Sequence, residues 1–215
     1  MNKIFIVIIA IFLGSCSMVG IRSGYEQPSY EVVEKISDQS EIRYYESRLA
    51  AETIVESGDY GSGKNAAFRL LFDYISGNNL MQNKIDMTAP VESIRVFEKV
   101  EMTAPVETAV NNANTLRMRF FLPIKYNSDN VPEPIDSKVR VVRVPEQFFA
   151  VLRFSGFASE EAVDDKNSEL LKLLENNAWE VSGPSSVFGY DPPWTLPFFR
   201  RNEVLLPVFL SSGEN

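Results

Sequence analysis

Carboxylates stand in adjacent pairs at Glu160-Glu161 and Asp164-Asp165, and Glu52 sits inside a strand-like run; these are residue types that general acid–base chemistry employs. The pairs fall in the first turn of an expected helix, where negative charge meets the positive end of the helix dipole. That accounts for them without catalysis. Glu52 is the carboxylate that a hydrolase of a hydrophobic ligand would need buried in a cleft, and a solvent-facing strand position is its ordinary alternative. Gly61-Ser62-Gly63-Lys64 lacks the spacing of a phosphate-binding P-loop. The 215 residues include no His and one Cys. Ser-His-Asp and Cys-His pairs, a His-based zinc site, a His axial ligand and an intrachain disulfide are therefore excluded.

The remaining candidates for chemistry are aromatic, basic and sulfur-bearing side chains, and the elements that carry them follow from periodicity. Residues 65–75 place apolar side chains at 68, 71, 72 and 75, which is helical spacing, and Gly77-Asn78-Asn79 supplies a stop. Gly58 to Gly63 before it is turn-like. Residues 30–36, 41–45 and 49–56 have strand character. The second half repeats the order: 139–144 alternates Val with Arg, Pro145-Glu146 breaks it, 148–154 is a strand, and Ser159 can cap a helix from Glu160 that ends at Asn176-Asn177. Strand–break–strand–helix thus occurs twice, at 42–77 and 139–177, joined by a strand-rich middle at 116–122. The expected fold is α+β: a curved antiparallel sheet or distorted β-barrel of two pseudo-symmetric halves with two flanking helices.

One repeat is literal. Lys84 to Glu92, containing Met87-Thr88-Ala89-Pro90-Val91, recurs fifteen residues later as Lys99 to Glu107, containing Met102-Thr103-Ala104-Pro105-Val106. That spacing suits two strands of one hairpin or meander, with each Pro at a strand edge, end or bulge.

The chain start reads as an export signal. Lys3 is a positive n-region, and Ile4 to Leu13 is an apolar run of ten, short of the ~20 residues a membrane-crossing helix needs. Leu13-Gly14-Ser15-Cys16 resembles a bacterial lipobox, in which the Cys becomes the lipidated first residue. The expected organisation is a signal peptide at 1–15, a lipidated tether at 16–29, a binding domain at 30–210 and a tail at 211–215. Ser17 after the Cys implies, by resemblance to lipoprotein sorting signals, outer-membrane anchoring facing the periplasm. The formal charge of −8 argues against nucleic acid as a partner. Hydrophobic residues at 45% and charged residues at 23% exclude a disordered chain and a polytopic membrane protein.

The doubled Met-Thr-Ala-Pro-Val, the helix ending Asp73-Tyr74-Ile75-Ser76-Gly77-Asn78-Asn79, and Gly189-Tyr190-Asp191-Pro192-Pro193-Trp194 followed by Arg200-Arg201-Asn202-Glu203-Val204 together resemble the SOUL haem-binding protein family, over residues 29–209. The resemblance implies noncovalent binding of haem or a related tetrapyrrole, for storage, buffering or transfer. It also implies kinship with effector-binding domains that hold other hydrophobic molecules, so another hydrophobic ligand and a hydrolase are the alternatives. In the family the first helix and the loop before the last strand form the binding region. Carried over, Phe68 and Phe72 meet the ring with Leu71 and Ile75 beside them, and Lys64 and Arg69 meet the propionates. The same stripe is also what a buried helix face requires. Trp194 either caps the cleft or covers the core edge.

Of Arg200 and Arg201, one or both meet a ligand carboxylate or tie the last strand to the sheet with Glu203. Family members often carry Met where Phe68 and Phe72 stand, a departure that removes two sulfur donors. Some use a His for the iron. Here the axial candidates are Tyr44, Tyr45, Tyr74, Met87 and Met102.

Overall fold

The computed structural model describes residues 24–96, 114–175 and 177–211. Ten strands and two α-helices alternate along them: β1 (Tyr30–Lys35), β2 (Ser40–Tyr45), β3 (Arg48–Ser57), α1 (Tyr60–Ile75), β4 (Val91–Val96), β5 (Asn114–Phe121), β6 (Val139–Val144), β7 (Gln147–Phe154), α2 (Glu160–Leu174), β8 (Trp179–Val181), β9 (Ser186–Gly189) and β10 (Asn202–Leu210). All ten strands join one antiparallel sheet in the order β1-β2-β7-β10-β9-β4-β5-β3-β6, with β8 also paired to β10. The sheet does not close. Of the two expected forms, the open curved sheet is the one observed.

The doubling is visible in the strand order. Exchanging β2 with β6, β3 with β7, β4 with β9 and β5 with β10 turns the run β2-β7-β10-β9-β4-β5-β3-β6 into its own reverse. The pseudo-twofold axis therefore passes between β4 and β9, where Val91 pairs Gly189, Glu92 pairs Phe188 and Ser93 pairs Val187.

Period-two alternation sorts the strand residues into two faces. Leu49, Ala51, Leu116, Met118 and Phe120 pack under α1 with Ala67, Leu71, Tyr74 and Ile75. Ala150, Leu152, Phe154, Val204, Leu206 and Val208 pack under α2 with Val163, Leu170 and Leu174. The other face gathers Tyr45, Ala50, Phe121, Phe149, Val151, Phe188, Tyr190 and Leu205 into a third core. Ser93 and Val187 are directly opposed, and Val91 packs with the α1 core while Val187 packs with the α2 core. Both helices therefore cover the same face.

One expectation needs correction. The stretch Gly58 to Gly63 is not all turn, because α1 begins at Tyr60. Asp59 caps it by accepting from the Ser62 backbone N–H at 2.8 Å. Gly63 allows close approach: a Cβ there would stand 3.0 Å from the Ser57 Cβ of β3. The expected strand pair of the literal repeat falls partly outside the described residues. Its first copy leads into β4, which pairs with β5 and β9. Its second copy lies outside the described residues, as do Met102 and Cys16.

Candidate functional site

Each turn of α1 advances the chain by about 3.6 residues, so side chains four apart form a slowly inclined ridge. Tyr60, Lys64, Phe68 and Phe72 make such a ridge. The Lys64 ammonium lies 5.6 Å from the Tyr60 ring centroid. Phe68 and Phe72 stack with centroids 5.8 Å apart and an interplanar angle of 14°. Phe68 leans edge-on against Phe120 of β5 at 5.2 Å and is half-buried, while Phe72 keeps 46% of its surface exposed. Leu71 and Ile75, expected beside a ligand, are instead sealed into the α1–sheet core. The helix thus divides its apolar arc. The rank carrying the small Ala67 faces the sheet, and the 68/72 rank stands at its margin. Arg69 is exposed and lies about 140° around the helix from Lys64, off the ridge.

The loop between β9 and β10 approaches this ridge. Burial lowers the pKa of Lys64, and the charge of Arg200 lowers it further. The two like charges therefore act on each other across the space between α1 and the loop. Among the described residues neither cation has a carboxylate partner. Arg200 is held by its own loop: Nε donates to the Thr195 carbonyl at 2.8 Å, and Nη2 donates to the Pro193 carbonyl. Its guanidinium also lies 4.9 Å from the Phe157 ring centroid. Gly156 N–H donates to the Pro197 carbonyl at 2.8 Å, joining the β7–α2 turn to the same loop. Around these contacts Trp194, Phe198 and Phe157 are 64%, 66% and 63% exposed. So many large rings left in water around a cation pair is unusual for a surface with no ligand to meet. Trp194 does not cover the core edge.

Arg201, the neighbour of Arg200, does something else. Its Nε and Nη2 donate to Glu203 at 2.9 and 2.6 Å. Glu203, fully buried, also accepts from both Arg43 terminal nitrogens at 2.9 and 3.2 Å and from the Tyr190 hydroxyl at 2.7 Å. Arg201 therefore ties the last strand to the sheet.

Among the described residues, the axial candidates Tyr44, Tyr45, Tyr74 and Met87 do not gather at the ridge. Tyr74 is buried, donates its hydroxyl to the Pro132 carbonyl at 2.7 Å, and is pushed up to about 12 by burial. Tyr45 belongs to the third core, where burial outweighs the opposing charge of Arg43 and raises it to about 12. Tyr44, on β2, packs against Phe148 at 5.0 Å, and burial with the charges of Glu146 and Glu46 raises its pKa. Raised phenol pKa values work against phenolate ligation. Met87 is half-buried against the α1 core. Among the described residues no group of three or more His, Cys, Asp or Glu could hold a metal ion.

Glu52 is buried, contrary to its ordinary expectation as a solvent-facing strand residue, but it is not a free base. Its oxygens accept from Arg119 Nε and Arg140 Nη2 at 2.7 and 2.6 Å, with Arg117 at 3.9 Å. Guanidinium groups occupy both oxygens.

Sequence reasoning missed Tyr60, Phe157 and Phe198. The four-residue spacing from Tyr60 to Phe72 was a usable signal, hidden by reading Gly58 to Gly63 as turn. A cleft of about 410 Å³ between the helices touches the ridge at Tyr60 and contains none of the residues expected to bind.

Comparison with known proteins gives a family model described as "SOUL heme-binding protein", matching residues 25–207. The chain is 32% identical over 189 residues to "Heme-binding protein 2" of Mus musculus, covering 84% of this chain and 85% of that one. It is 29% identical over 133 residues to "Heme-binding protein 1" of Sus scrofa, covering 62% and 65%. Among solved structures, the C-terminal domain of EcmrR superposes with a TM-score of 0.59 at 10% identity, over 80% of this chain and 98% of that one. A hydrolase from Listeria innocua superposes at 0.57 with 12% identity, over 80% and 92%. At such identities these two likenesses speak for the fold alone.

Proposed function

The chain belongs to the SOUL heme-binding protein family, and we propose on that premise that it binds haem or a related tetrapyrrole noncovalently along the Lys64–Phe68–Phe72 ridge. The observation that carries this reading is the set of exposed rings Trp194, Phe198 and Phe157 about Arg200, together with the stacked Phe68 and Phe72 on α1; Lys64 and Arg200 have no carboxylate partner among the described residues. A porphyrin presents the complementary surface: a flat apolar ring and carboxylates on one edge. Phe68 and Phe72 offer it ring contacts, Lys64 and Arg200 offer it charge, and Trp194 and Phe198 offer cover from the loop. A guanidinium and an ammonium differ in fit. Arg can meet a carboxylate with two parallel N–H donors, whereas Lys acts as a point charge.

The chain has no His, and the tyrosines proposed as axial ligands lie in β2 or inside the α1 core. Recognition then rests on the ring and its carboxylate edge rather than on iron. Haemin and iron-free protoporphyrin IX are expected to bind the full chain with dissociation constants within about threefold of each other. Parallel absorption and fluorescence titrations check this. A response confined to haemin would overturn recognition by the carboxylate edge, and saturation by neither would overturn tetrapyrrole binding itself.

We also propose, from the lipobox-like Leu13-Gly14-Ser15-Cys16, that the protein is anchored through Cys16 as an outer-membrane lipoprotein that stores, buffers or transfers its ligand. No helix among the described residues is long and apolar enough to cross a membrane. Acyl chains contribute about 0.8 kcal/mol per buried CH₂, so more than one chain anchors stably. Labelled fatty acid is expected to enter the native protein and not Cys16→Ala; equal labelling of both would end the anchor proposal.

A further inference from the structure

The cleft between the helices is a separate place in the fold. It lies on the helix-covered face at the pseudo-twofold axis and draws walls from both halves: Tyr60 and Ser93 from the first, α2 and β9–β10 from the second. Its volume of about 410 Å³ is within the range of small-molecule sites. Val163, Leu171, Val187 and Leu206 supply apolar lining.

Polar side chains share the lining (Tyr60, Ser93, Arg95, Asp164, Asn167 and Ser185), and they are unequally satisfied. Arg95 at the cleft is matched by two carboxylates of α2, donating to Glu160 at 2.7 Å and to Asp164. Tyr60 and Ser93 stand together in the lining. Asn167 differs from both. Its side-chain oxygen is shielded from solvent and has no hydrogen-bond partner among the described residues. Shielded acceptors are nearly always satisfied in folded proteins, so an unsatisfied one in a cleft with an aliphatic wall marks a position suited to a donor.

We propose that this cleft is a second ligand site, for a compact uncharged molecule with an apolar ring body and one O–H or N–H donor directed at Asn167. The body contacts the four aliphatic side chains, and the donor meets the amide oxygen. Because Arg95 is already paired, the ligand needs no formal charge. The site does not rest on tetrapyrrole binding, since its lining shares only Tyr60 with the ridge.

The test uses 2-naphthol and its donor-less analogue 2-methoxynaphthalene on the full chain, followed by fluorescence. Saturable 2-naphthol binding is expected, at least about tenfold tighter than the analogue. Leu171→Trp, which fills the cleft from a partly exposed position, is expected to abolish it. Asn167→Leu is expected to bring the two probes to similar affinities. Haemin titration and circular dichroism report whether each variant folds. Should Leu171→Trp fail to fold, Val181→Trp blocks the cleft from the facing wall. Absence of saturable naphthol binding, equal affinity of the native protein for both probes, or binding that survives a folded cleft-filling variant would each overturn the proposal. None of these results would bear on the ridge.

Discussion

Glu203→Ala is expected to lower the free energy of unfolding by about 3–5 kcal/mol, measured by urea denaturation at neutral pH. The carboxylate is fully buried and accepts five hydrogen bonds: two from Arg43, two from Arg201 and one from Tyr190. Removing it does not merely delete contacts. Arg43 is itself buried, and among the described residues its other carboxylate contact is Glu41, at 2.6 Å. The loss is therefore dominated by a buried guanidinium left with the part-exposed Glu41 as its remaining carboxylate contact among the described residues. The double variant Arg43→Met, Glu203→Met should cost less than Glu203→Ala alone, because it removes both charges and keeps the volume. If the double variant were the less stable, the network would be contributing net stability rather than balancing a desolvation cost.

The pH dependence follows from the direction of the shift at Glu203. Burial by itself would raise its pKa, but the charge and hydrogen bonds of Arg43, joined by Arg201 and Tyr190, hold it below the ordinary glutamate value. A carboxyl with a depressed folded-state pKa binds protons more readily once unfolded. Its contribution to stability is complete above the unfolded value, about pH 4.3, and is lost as pH falls through the folded value. The native protein should therefore lose stability more steeply below about pH 4.3 than Glu203→Gln does. Parallel acid denaturation curves would count against a charged Glu203.

How much of this was legible in the sequence depended on the range of the interaction. The start of α2 is a local matter: Ser159 accepts from the Ala162 N–H at 3.3 Å, with Glu160 and Glu161 in the first turn, and the residues themselves announce it. The start of α1 was misread because its glycines serve packing rather than turning, and Gly63 is explained only by the proximity of Ser57 on β3. Periodicity found the apolar arc of α1 but not its division. An arc holding 68, 71, 72 and 75 is too wide for spacing to tell which rank meets the sheet, and the registers of β3 and β5 decide that. The partnership of Arg43 with Glu203 spans 160 positions and had no sequence signal. The separate duties of Arg200 and Arg201 did follow a readable rule. Alternation along β10 puts Arg201 and Glu203 on one face, where they pair, and leaves Arg200 with the preceding loop.

That division makes the cation pair the place to test the ligand reading. Lys64→Glu is expected to weaken haemin or protoporphyrin IX binding by about 30–100-fold, or ~2–2.7 kcal/mol, since it replaces attraction to a propionate with repulsion at a half-buried site. Arg200→Ala would confuse two effects, because Arg200 also fastens its loop to the Thr195 and Pro193 carbonyls. Arg200→Lys keeps the charge while removing the planar donor set, so comparing the two substitutions separates charge from loop shape. Arg69 is the internal control. It lies five residues beyond Lys64, about 140° around the helix, and Arg69→Ala should change affinity by less than about threefold. Loss at Arg69 with none at Lys64 would move the carboxylates to a different face of α1. Lys64 also predicts the pH response. Burial first, and Arg200 second, make its ammonium easier to deprotonate, and a bound carboxylate would oppose both. Affinity should be greatest below the depressed pKa of Lys64 and fall as pH rises through it, a dependence that Lys64→Ala removes. If native and Lys64→Ala proteins gave superimposable affinity–pH curves, the ammonium would have no part in holding the ligand.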